Sequence, residues 1–322
     1  MTDLSLERRI TFDRDRVLSW LQSYGVYAAI VVLVAIDTAL SPRFFTLQNA
    51  RVQLFQAVPV LLVALGMALV IGTEGIDLSV GAVIALAAAL IPIMIGHGLV
   101  LTIVVVLIAG GVSGTIGGSM VAFARVQPIV ATLALMIGLR GFAVIINGAS
   151  AKPVNNQFID DLGVKNWFGV PEMAFLAALV VAIVAFVVRR STFGRQLMAI
   201  GDNRAASELS GTPVRRVLVL VYVICGILSA IAGILIVGHG AEADPSGAGL
   251  LYELSAITAV VVGGTPLSGG KVKVVGTVAG AIFMQLVQAT LIQHNVKNSW
   301  SQIIEAIIIC FAVYAARGRS GR

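Results

Sequence analysis

The chain has 322 residues, of which 58% are hydrophobic and only 12% are charged, and its mean hydropathy is +0.98. Soluble domains carry about 25% charged residues, so this composition excludes a water-soluble globular protein. The formal charge of +6 does not indicate a nucleic-acid partner, because the basic residues flank apolar runs and do not gather on a polar surface. The composition therefore predicts a polytopic membrane protein.

Ten apolar runs follow one another along the chain, and a helix needs about 20 residues to cross a bilayer. The eighth run is too short to cross alone, so it needs its flanking residues or a broken helix lined by protein. We expect an all-α fold and a single transmembrane domain over residues 1–322, with about ten helices, some of them short or broken. Two inverted five-helix halves are one arrangement compatible with that count. The runs lie at 24–40, 54–72, 78–96, 99–123, 127–147, 171–188, 217–237, 253–263, 274–293 and 302–316.

The lysines and arginines predict the orientation of the chain. With the N-terminus inside, sixteen of the 22 basic residues fall in inner segments, five in outer segments, and Arg140 lies within a run. The positive-inside pattern then places both termini in the cytoplasm, which requires an even number of crossings. Residues 1–22 become a cytoplasmic segment without a cleaved signal peptide, 148–172 an external loop and 189–216 a cytoplasmic loop.

The cytoplasmic loop and the glycines carry further local signals. Residues 202–209 begin with cap-type residues and continue with helix formers, which predicts a short helix at the inner membrane face, ended by Gly211 and Pro213. Glycines recur every four residues in the fourth and ninth runs. We expect them to let neighbouring helices of one subunit pack closely, in preference to forming a dimer interface. They are Gly110, Gly114, Gly118, Gly276 and Gly280.

The segment GTEGIDLSVG at 72–81 places Glu74 and Asp77 between two apolar runs. Carboxylates at this place must reach an interface, a cavity or a helix end, because exposure to lipid is costly. Two interpretations stay open. The segment is either the start of a broken helix that shapes a translocation path, or an ordinary inner turn in which Asp77 caps the next helix.

Polar residues inside the other runs are the remaining candidates for a translocation path. Arg140 could contact a polar solute or pair with a carboxylate, and Asn147, Gln285 and Gln288 could extend a polar lining. Hydrogen bonding between helices is the competing explanation for each of them.

Several activities lack the residues that they need. The segment GGTPLSGGK at 263–271 resembles a nucleotide-phosphate loop, but Thr265 stands where glycine is required and Val272 where Ser or Thr should hold magnesium. We find no paired nucleophile and base and no metal-ligand spacing. We therefore expect neither an enzyme nor a bound metal, and the sequence shows no pair of intramembrane carboxylates for a proton relay.

Four stretches together resemble the permease subunit of a bacterial ATP-binding-cassette importer for monosaccharides, of the ribose and galactofuranose type. This family is related more distantly to branched-chain amino-acid permeases. The chain departs from the usual pattern at Glu74, where a glycine is common, and at Ser255, where aspartate is common. The stretches are TEGIDLSVG at 73–81, VQPIVATLALMIGLRG at 126–141, STFGRQLMAIGDNRAASELSG at 191–211 and YELSAITAVVVGGTPLSGG at 252–270.

The resemblance implies how the protein works. Residues 191–211 would dock on a separate ATPase subunit that binds ATP and Mg, so this chain would hold no cofactor. The implied partners are that ATPase, a second permease copy or paralogue, membrane lipid and a periplasmic or lipid-anchored sugar-binding protein, in a bacterial inner membrane. An amino-acid permease and a self-sufficient secondary transporter are the alternatives. The coupling candidates are Gly194, Arg195, Gly201, Asn203, Ala206 and Gly211.

Overall fold

The computed structural model describes residues 14–40, 46–148, 150–154 and 156–317. The first thirteen residues of the predicted N-terminal segment lie outside these ranges. The described part is almost entirely helical, with two short antiparallel strand pairs, β1 with β4 and β2 with β3. Its helices are α1 Arg14–Leu40, α2 Leu47–Gly72, α3 Val80–Met94, a 3-10 helix Ile95–His97, α4 Leu99–Ala122, α5 Pro128–Asn147, α6 Gln157–Val164, α7 Glu172–Arg190, α8 Thr192–Asp202, α9 Arg204–Leu209, α10 Val214–Gly240, α11 Tyr252–Val262, α12 Val274–Gln293 and α13 Asn298–Arg317, and its strands are β1 Lys152–Pro153, β2 Asn166–Trp167, β3 Val170–Pro171 and β4 Glu242–Ala243.

Each of the ten predicted apolar runs corresponds to one helix: α1 to α5, α7 and α10 to α13. Within the described residues, seven helices are long and apolar enough to cross a membrane, namely α2, α3 with its 3-10 extension, α4, α5, α7, α10 and α12. The apolar part of α1 and the helix α11 are shorter. The predicted all-α polytopic fold is confirmed, and the full number of ten crossings stays a prediction.

Helix α2 lies at the centre of the bundle. It is buried from Ala57 to Gly72 and packs against α10, α11 and α12. By contrast, α5 and α7 expose apolar side chains such as Ile137 and Phe186. Such exposure is stable in hydrocarbon, so these two helices present the faces that we expect to contact lipid.

The glycine repeat of α4 forms a close contact with α10. A Cβ added at Gly110 would lie 2.5 Å from the carbonyl oxygen of Gly226, and one at Gly114 would overlap the carbonyl oxygen of Tyr222. In the ninth run, Gly276 would overlap the carbonyl of Gly263, directly after α11. The prediction that these glycines pack helices of the same chain is confirmed.

Loops that the charge count assigns to one side lie at one end of the bundle. At the inner end, which we assign to the cytoplasm, the amide of Gly270 donates to the carbonyl of Gly72 over 3.1 Å. At the outer end, β1 of the predicted external loop pairs with β4, so Lys152 lies opposite Ala243. The grouping of the loops therefore agrees with the predicted topology.

Two helices begin inside the bundle after a non-helical segment. Helix α3 follows residues 73–79, which come from the inner end, and α11 follows residues 244–251, which come from the outer end. These helices are the third in each group of five, and they start from opposite ends, as an inverted repeat requires. The short eighth run thus forms α11 and is not lengthened by its flanking residues. Because a non-helical segment precedes each of them inside the bundle, we call α3 and α11 the broken helices.

The loop that the sequence predicts to be cytoplasmic contains two helices where the sequence predicts one. Helix α9, Arg204–Leu209, lies within the predicted span 202–209, and Asn203 is its N-cap residue. Helix α8, Thr192–Asp202, is an addition to the prediction. Its buried residues Leu197 and Ile200 lie on one side of the helix and hold it against the bundle.

Candidate translocation path and coupling segment

The non-helical segment 73–79 runs into the bundle, where polar groups of the protein form hydrogen bonds with it. Asp77 is buried, and its Oδ1 accepts hydrogen bonds from the Ser79 amide over 3.0 Å and from the Ser79 hydroxyl over 2.6 Å. From α5, the Thr132 hydroxyl donates to the carbonyl of Ile76 over 3.2 Å. Asp77 therefore organises the start of α3, but it does so inside the protein and not in an ordinary surface turn.

Glu74 belongs to the inner end of the same segment. Its side chain is exposed, and its backbone has a φ of 63°, a left-handed conformation in which non-glycine residues are uncommon. A Cβ added at Gly269 would lie 2.9 Å from the Glu74 amide nitrogen. The structure thus separates the two predicted carboxylates, one at the inner surface and one in the interior.

Arg140 donates hydrogen bonds to backbone carbonyls of the segment that leads into α11. Its Nη1 donates to the carbonyls of Ser246 and Ala248, each over 3.3 Å, and its Nη2 donates to the carbonyl of Gly249 over 3.2 Å. Non-helical backbone inside a membrane protein needs such partners, because no water is available there. Arg140 thus forms hydrogen bonds to the backbone, and within the described part of the chain it forms no ion pair.

The starts of α3 and α11 meet next to Arg140. A Cβ added at Gly81 would overlap the Gly249 carbonyl and would lie 2.5 Å from Oε2 of Glu253. That Oε2 atom is buried and has no hydrogen-bond partner within the described part of the chain. A carboxylate near a helix N-terminus is stabilised by the helix dipole, so Asp77 and Glu253 each complement one of the two facing helix ends.

Glu253 is a residue that the sequence analysis missed. The available signal was a lone carboxylate at the N-terminal edge of an apolar run that is too short to cross a membrane. Such a run has to begin inside the protein, so its first charged residue is placed at depth.

Gln285 is buried and joins α12 to α2 through amide hydrogen bonds. Its Nε2 donates to Oε1 of Gln56 over 2.6 Å and to Oε1 of Gln53 over 3.1 Å. Gln53 and Gln285 also line a groove of about 550 Å³ between α1, α2 and α12, together with Asn49. Gln53 and Gln56 were not predicted, since one polar residue on a helix gives no indication of its partner.

The remaining predicted path residues lie near the outer end. Nε2 of Gln288 donates to Oε1 of Glu305 on α13 over 3.1 Å. Asn147 is buried at the end of α5, where its Nδ2 donates to the Ser150 carbonyl over 2.6 Å and its Oδ1 has no partner among the described residues. The six predicted residues therefore do not form one cavity, and their role in translocation stays a prediction.

The predicted coupling residues lie on the inner surface along α8 and α9. Gly194 is buried at the start of α8, where its amide donates to the Ser191 hydroxyl over 3.0 Å. Asn203 separates the two helices, and its Oδ1 accepts from the Ala206 amide over 2.9 Å. Arg195 is exposed, and Gly211 ends this segment with a φ of 79°.

Gly201 links the coupling segment to both broken helices. A Cβ at this position would overlap the carbonyl oxygen of Gly72 and would lie 2.5 Å from the Gly270 amide nitrogen. Gly72 ends α2 directly before the segment that leads into α3, and Gly270 lies in the loop that follows α11. We call this contact of Gly72, Gly201 and Gly270 the inner junction. The backbones of the three residues therefore lie in close contact.

Among the described residues, no group of three or more His, Cys, Asp or Glu side chains could hold a metal ion.

A groove of about 600 Å³ beside the inner junction is lined by Asp202, Ser268, Lys271 and Lys273 among others. The groove lies between the 263–273 loop and the end of α8.

Comparisons with known proteins agree with this architecture. The chain is 37% identical over 303 residues to the ribose import permease protein RbsC of Escherichia coli K12, and the alignment covers 92% of this chain and 94% of the relative. It is 36% identical over 320 residues to RbsC of Bacillus subtilis 168, covering 98% and 97%. It is 33% identical over 304 residues to the galactofuranose transporter permease protein YtfT of Escherichia coli K12, covering 91% and 89%.

No solved structure matches the chain significantly. The family described as the permease component of the branched-chain amino acid transport system matches residues 52–313, from the outer turns of α2 to the last turns of α13. The matched region contains both broken helices, the inner junction and α5. The chain therefore belongs to the family of branched-chain amino acid transport system permease components.

Proposed function

We propose that this chain is the membrane-spanning permease subunit of an ATP-binding-cassette importer and that its solute is a monosaccharide. Relatives that align over more than nine-tenths of the chain are named as ribose and galactofuranose permeases, which supports a sugar as the solute. A bacterial inner membrane is the location that these relatives support.

The structural observation that best supports an energy-coupled permease is the inner junction. A helix pair on the cytoplasmic surface contacts, through Gly201, the segments that carry α3 and α11. Leu209 on α9 is 91% exposed, and an apolar residue so placed suits the surface of a partner subunit. A pore that needs no ATPase has no evident use for this arrangement.

The proposed mechanism is alternating access with force applied from outside the chain. ATP and Mg would bind to a separate ATPase, whose movement displaces α8 and α9. The inner junction would pass that displacement to residues 73–79 and to the 263–273 loop, which are covalently joined to α3 and α11. Because those helices begin against each other at Gly81 and Gly249, moving both changes the contact at the centre of the bundle.

The other proposed partners follow from the direction of transport. An importer receives solute at its outer face, so a periplasmic or lipid-anchored sugar-binding protein would dock near α6 and the β1–β4 pair. A second permease copy or a paralogue would complete the membrane part. An amino-acid permease of the same architecture is the alternative within this class, and a self-sufficient secondary transporter is the alternative outside it.

Purification from native membranes in mild detergent tests the proposal. We expect a stoichiometric partner that carries a nucleotide-phosphate loop, and ATP-dependent uptake of a sugar when the complex and its binding protein are reconstituted in liposomes. Uptake of amino acids but no sugar would replace the solute class. Uptake by the chain alone, driven by an ion gradient without ATP, would establish the secondary-transporter alternative.

A further inference from the structure

A β-hairpin precedes α7 at its outer end. Strands β2 and β3 are joined by Phe168 and Gly169, and the hairpin is closed at its base where the Glu172 amide donates to the Lys165 carbonyl over 3.0 Å. The Lys165 ammonium also lies 4.0 Å from the Glu172 carboxylate. At the tip, Nε of Arg51 donates to the Gly169 carbonyl over 2.8 Å, which ties the hairpin to α2.

The tip carries an aromatic residue in an unfavourable backbone conformation. Phe168 has a φ of 48° and Gly169 a φ of 85°, so both central residues of the turn are left-handed. Two-residue turns of this kind favour Asn-Gly or Gly-Gly, and an L-residue with a Cβ costs about 1–2 kcal/mol there. Phe168 is nevertheless 98% exposed, so burial within this chain does not compensate for that cost. Strained residues cluster at functional sites, so the strained and exposed Phe168 is a candidate for a contact outside this chain.

The hairpin continues a face of α7 that we expect to contact lipid. Phe175, Leu179, Ile183 and Phe186 are all exposed, and their spacing places them on one side of this candidate membrane span. The Trp167 ring, which is 60% exposed, makes an edge contact with the Phe175 ring at a centroid distance of 6.3 Å. Phe168 in turn contacts Trp167 at 6.2 Å. The aromatic residues of the hairpin thus form the outer end of one continuous apolar stripe.

We infer that this hairpin is an interfacial anchor, with the rings of Trp167 and Phe168 seated in the boundary between headgroups and acyl chains of the outer leaflet. Aromatic rings favour that boundary, and Trp can keep its N–H in contact with polar groups there. The continuity with the stripe of α7 is what identifies lipid, and not a soluble protein, as the occupant.

Fluorescence of Trp167 tests the inference in the full chain. The chain has three tryptophans, Trp20, Trp167 and Trp300, so the variant W20F/W300F keeps Trp167 as the single reporter. In lipid nanodiscs, we expect phosphatidylcholine brominated near the glycerol backbone to quench its emission more than lipid brominated near the chain ends. Iodide in solution should quench it weakly.

A matched reporter defines the result for a water-exposed site. Leu209→Trp in the background W20F/W167F/W300F places a tryptophan on the inner surface. In discs that contain this chain without a partner subunit, iodide should quench it strongly and both brominated lipids weakly. Phe168→Asn relieves the turn strain but removes a ring, so it should reduce the lipid quenching of Trp167. Trp167 quenched like the Leu209→Trp reporter would overturn the inference. Lipid-independent protection of Trp167 that appears only on adding a sugar-binding protein, or only when two copies share a disc, would also overturn it.

Discussion

Thr132 and Arg140 lie about two turns apart on α5, and each donates to the backbone of a different non-helical segment. Thr132 bonds to the carbonyl of Ile76 ahead of α3, and Arg140 bonds to three carbonyls, the last at Gly249, ahead of α11. Helix α5 thus holds the starts of both broken helices. A movement that separates the two helix ends must break hydrogen bonds to α5 or carry α5 with it.

Arg140→Leu should destabilise the protein and abolish uptake. The substitution leaves three carbonyls without this donor, and of the residues that carry them only Gly249 is buried. An unsatisfied buried group costs about 1–3 kcal/mol. Arg140→Lys keeps the charge but loses the planar fork, so its effect should be intermediate. The measurement is thermal unfolding in detergent beside the kinetics of uptake. An unchanged unfolding temperature together with a raised KM would instead assign Arg140 to solute contact. Thr132→Val removes one donor and should have the smallest effect on stability.

Gly201→Ala should uncouple uptake from ATP hydrolysis without preventing membrane insertion. The new Cβ overlaps the Gly72 carbonyl and pushes α8 away from the inner junction. Gly138→Ala is the matched control, because Gly138 is a helical glycine with nothing within 4 Å of the added Cβ. We expect Gly138→Ala to transport normally and to gain up to about 1 kcal/mol in stability. Reconstituted complexes should be assayed for uptake and hydrolysis in parallel, and normal coupling in Gly201→Ala would contradict the role of the junction.

Asn203→Ala should weaken the same coupling by a different route. Asn203 caps α9 through the Ala206 amide, and loss of an N-cap costs about 0.5–2 kcal/mol. Because α9 has only six residues, we expect it to lose order, which amide hydrogen exchange over residues 204–209 would detect. Asn203→Asp and Asn203→Ser retain a capping oxygen and should preserve both protection and transport. Equal loss of transport in all three variants would show that the amide of Asn203 is needed for more than capping.

Gly114→Ala should lower stability by about 1–3 kcal/mol through overpacking. The added methyl overlaps the Tyr222 carbonyl across the contact between α4 and α10. Gly111, on the same helix, has its nearest neighbour at 3.6 Å, an ordinary contact distance, so Gly111→Ala should be neutral or stabilising. The two variants differ only in the face of α4 that receives the methyl. Similar unfolding temperatures for both would exclude close packing as the role of the glycine repeat.

A set of glutamine variants separates a structural role from a role in translocation. Gln285→Leu leaves the acceptors of Gln53 and Gln56 without their donor, so stability and uptake should both fall. The triple variant Q53L/Q56L/Q285L removes all three amides, and stability should recover in large part. The one further printed contact that it removes is the 3.4 Å hydrogen bond from Gln53 Nε2 to Oδ1 of the half-buried Asn49. If the amides line the solute path, uptake stays low in the triple variant. Recovery of uptake together with stability would leave only the structural role.

Some of the site could be predicted because it depends on local signals. The N-cap at Asn203 and the helix that follows it come from residue types within a single turn. Asp77 was recognised as a costly intramembrane carboxylate, but its two interpretations stayed open, since the sequence does not show whether residues 73–79 lie on the surface or inside. The burial of Asp77, the hydrogen bonds that it accepts from Ser79 and the bond from Thr132 to the Ile76 carbonyl show that this segment lies inside the protein.

Other parts of the site depend on contacts between distant residues. Gln56 and Gln285 are 229 positions apart, and Arg140 lies 106 positions from Ser246. One polar residue within an apolar run carries no indication of which partner it will meet. For the same reason, Glu253 and the 263–273 loop had no assigned role until the structure brought them to Gly81 and to Gly201.

The sequence by itself determined the membrane class, the positions of the ten apolar helices and the grouping of loops at two ends, because hydropathy and charge act on each segment separately through its transfer between water and lipid. The tertiary structure alone decided that α3 and α11 begin against each other, that α5 satisfies the non-helical segments ahead of them, and that Gly72, Gly201 and Gly270 touch. These arrangements depend on backbone approach and on pairing of polar groups between helices. Both are properties of the packed bundle and not of any one segment.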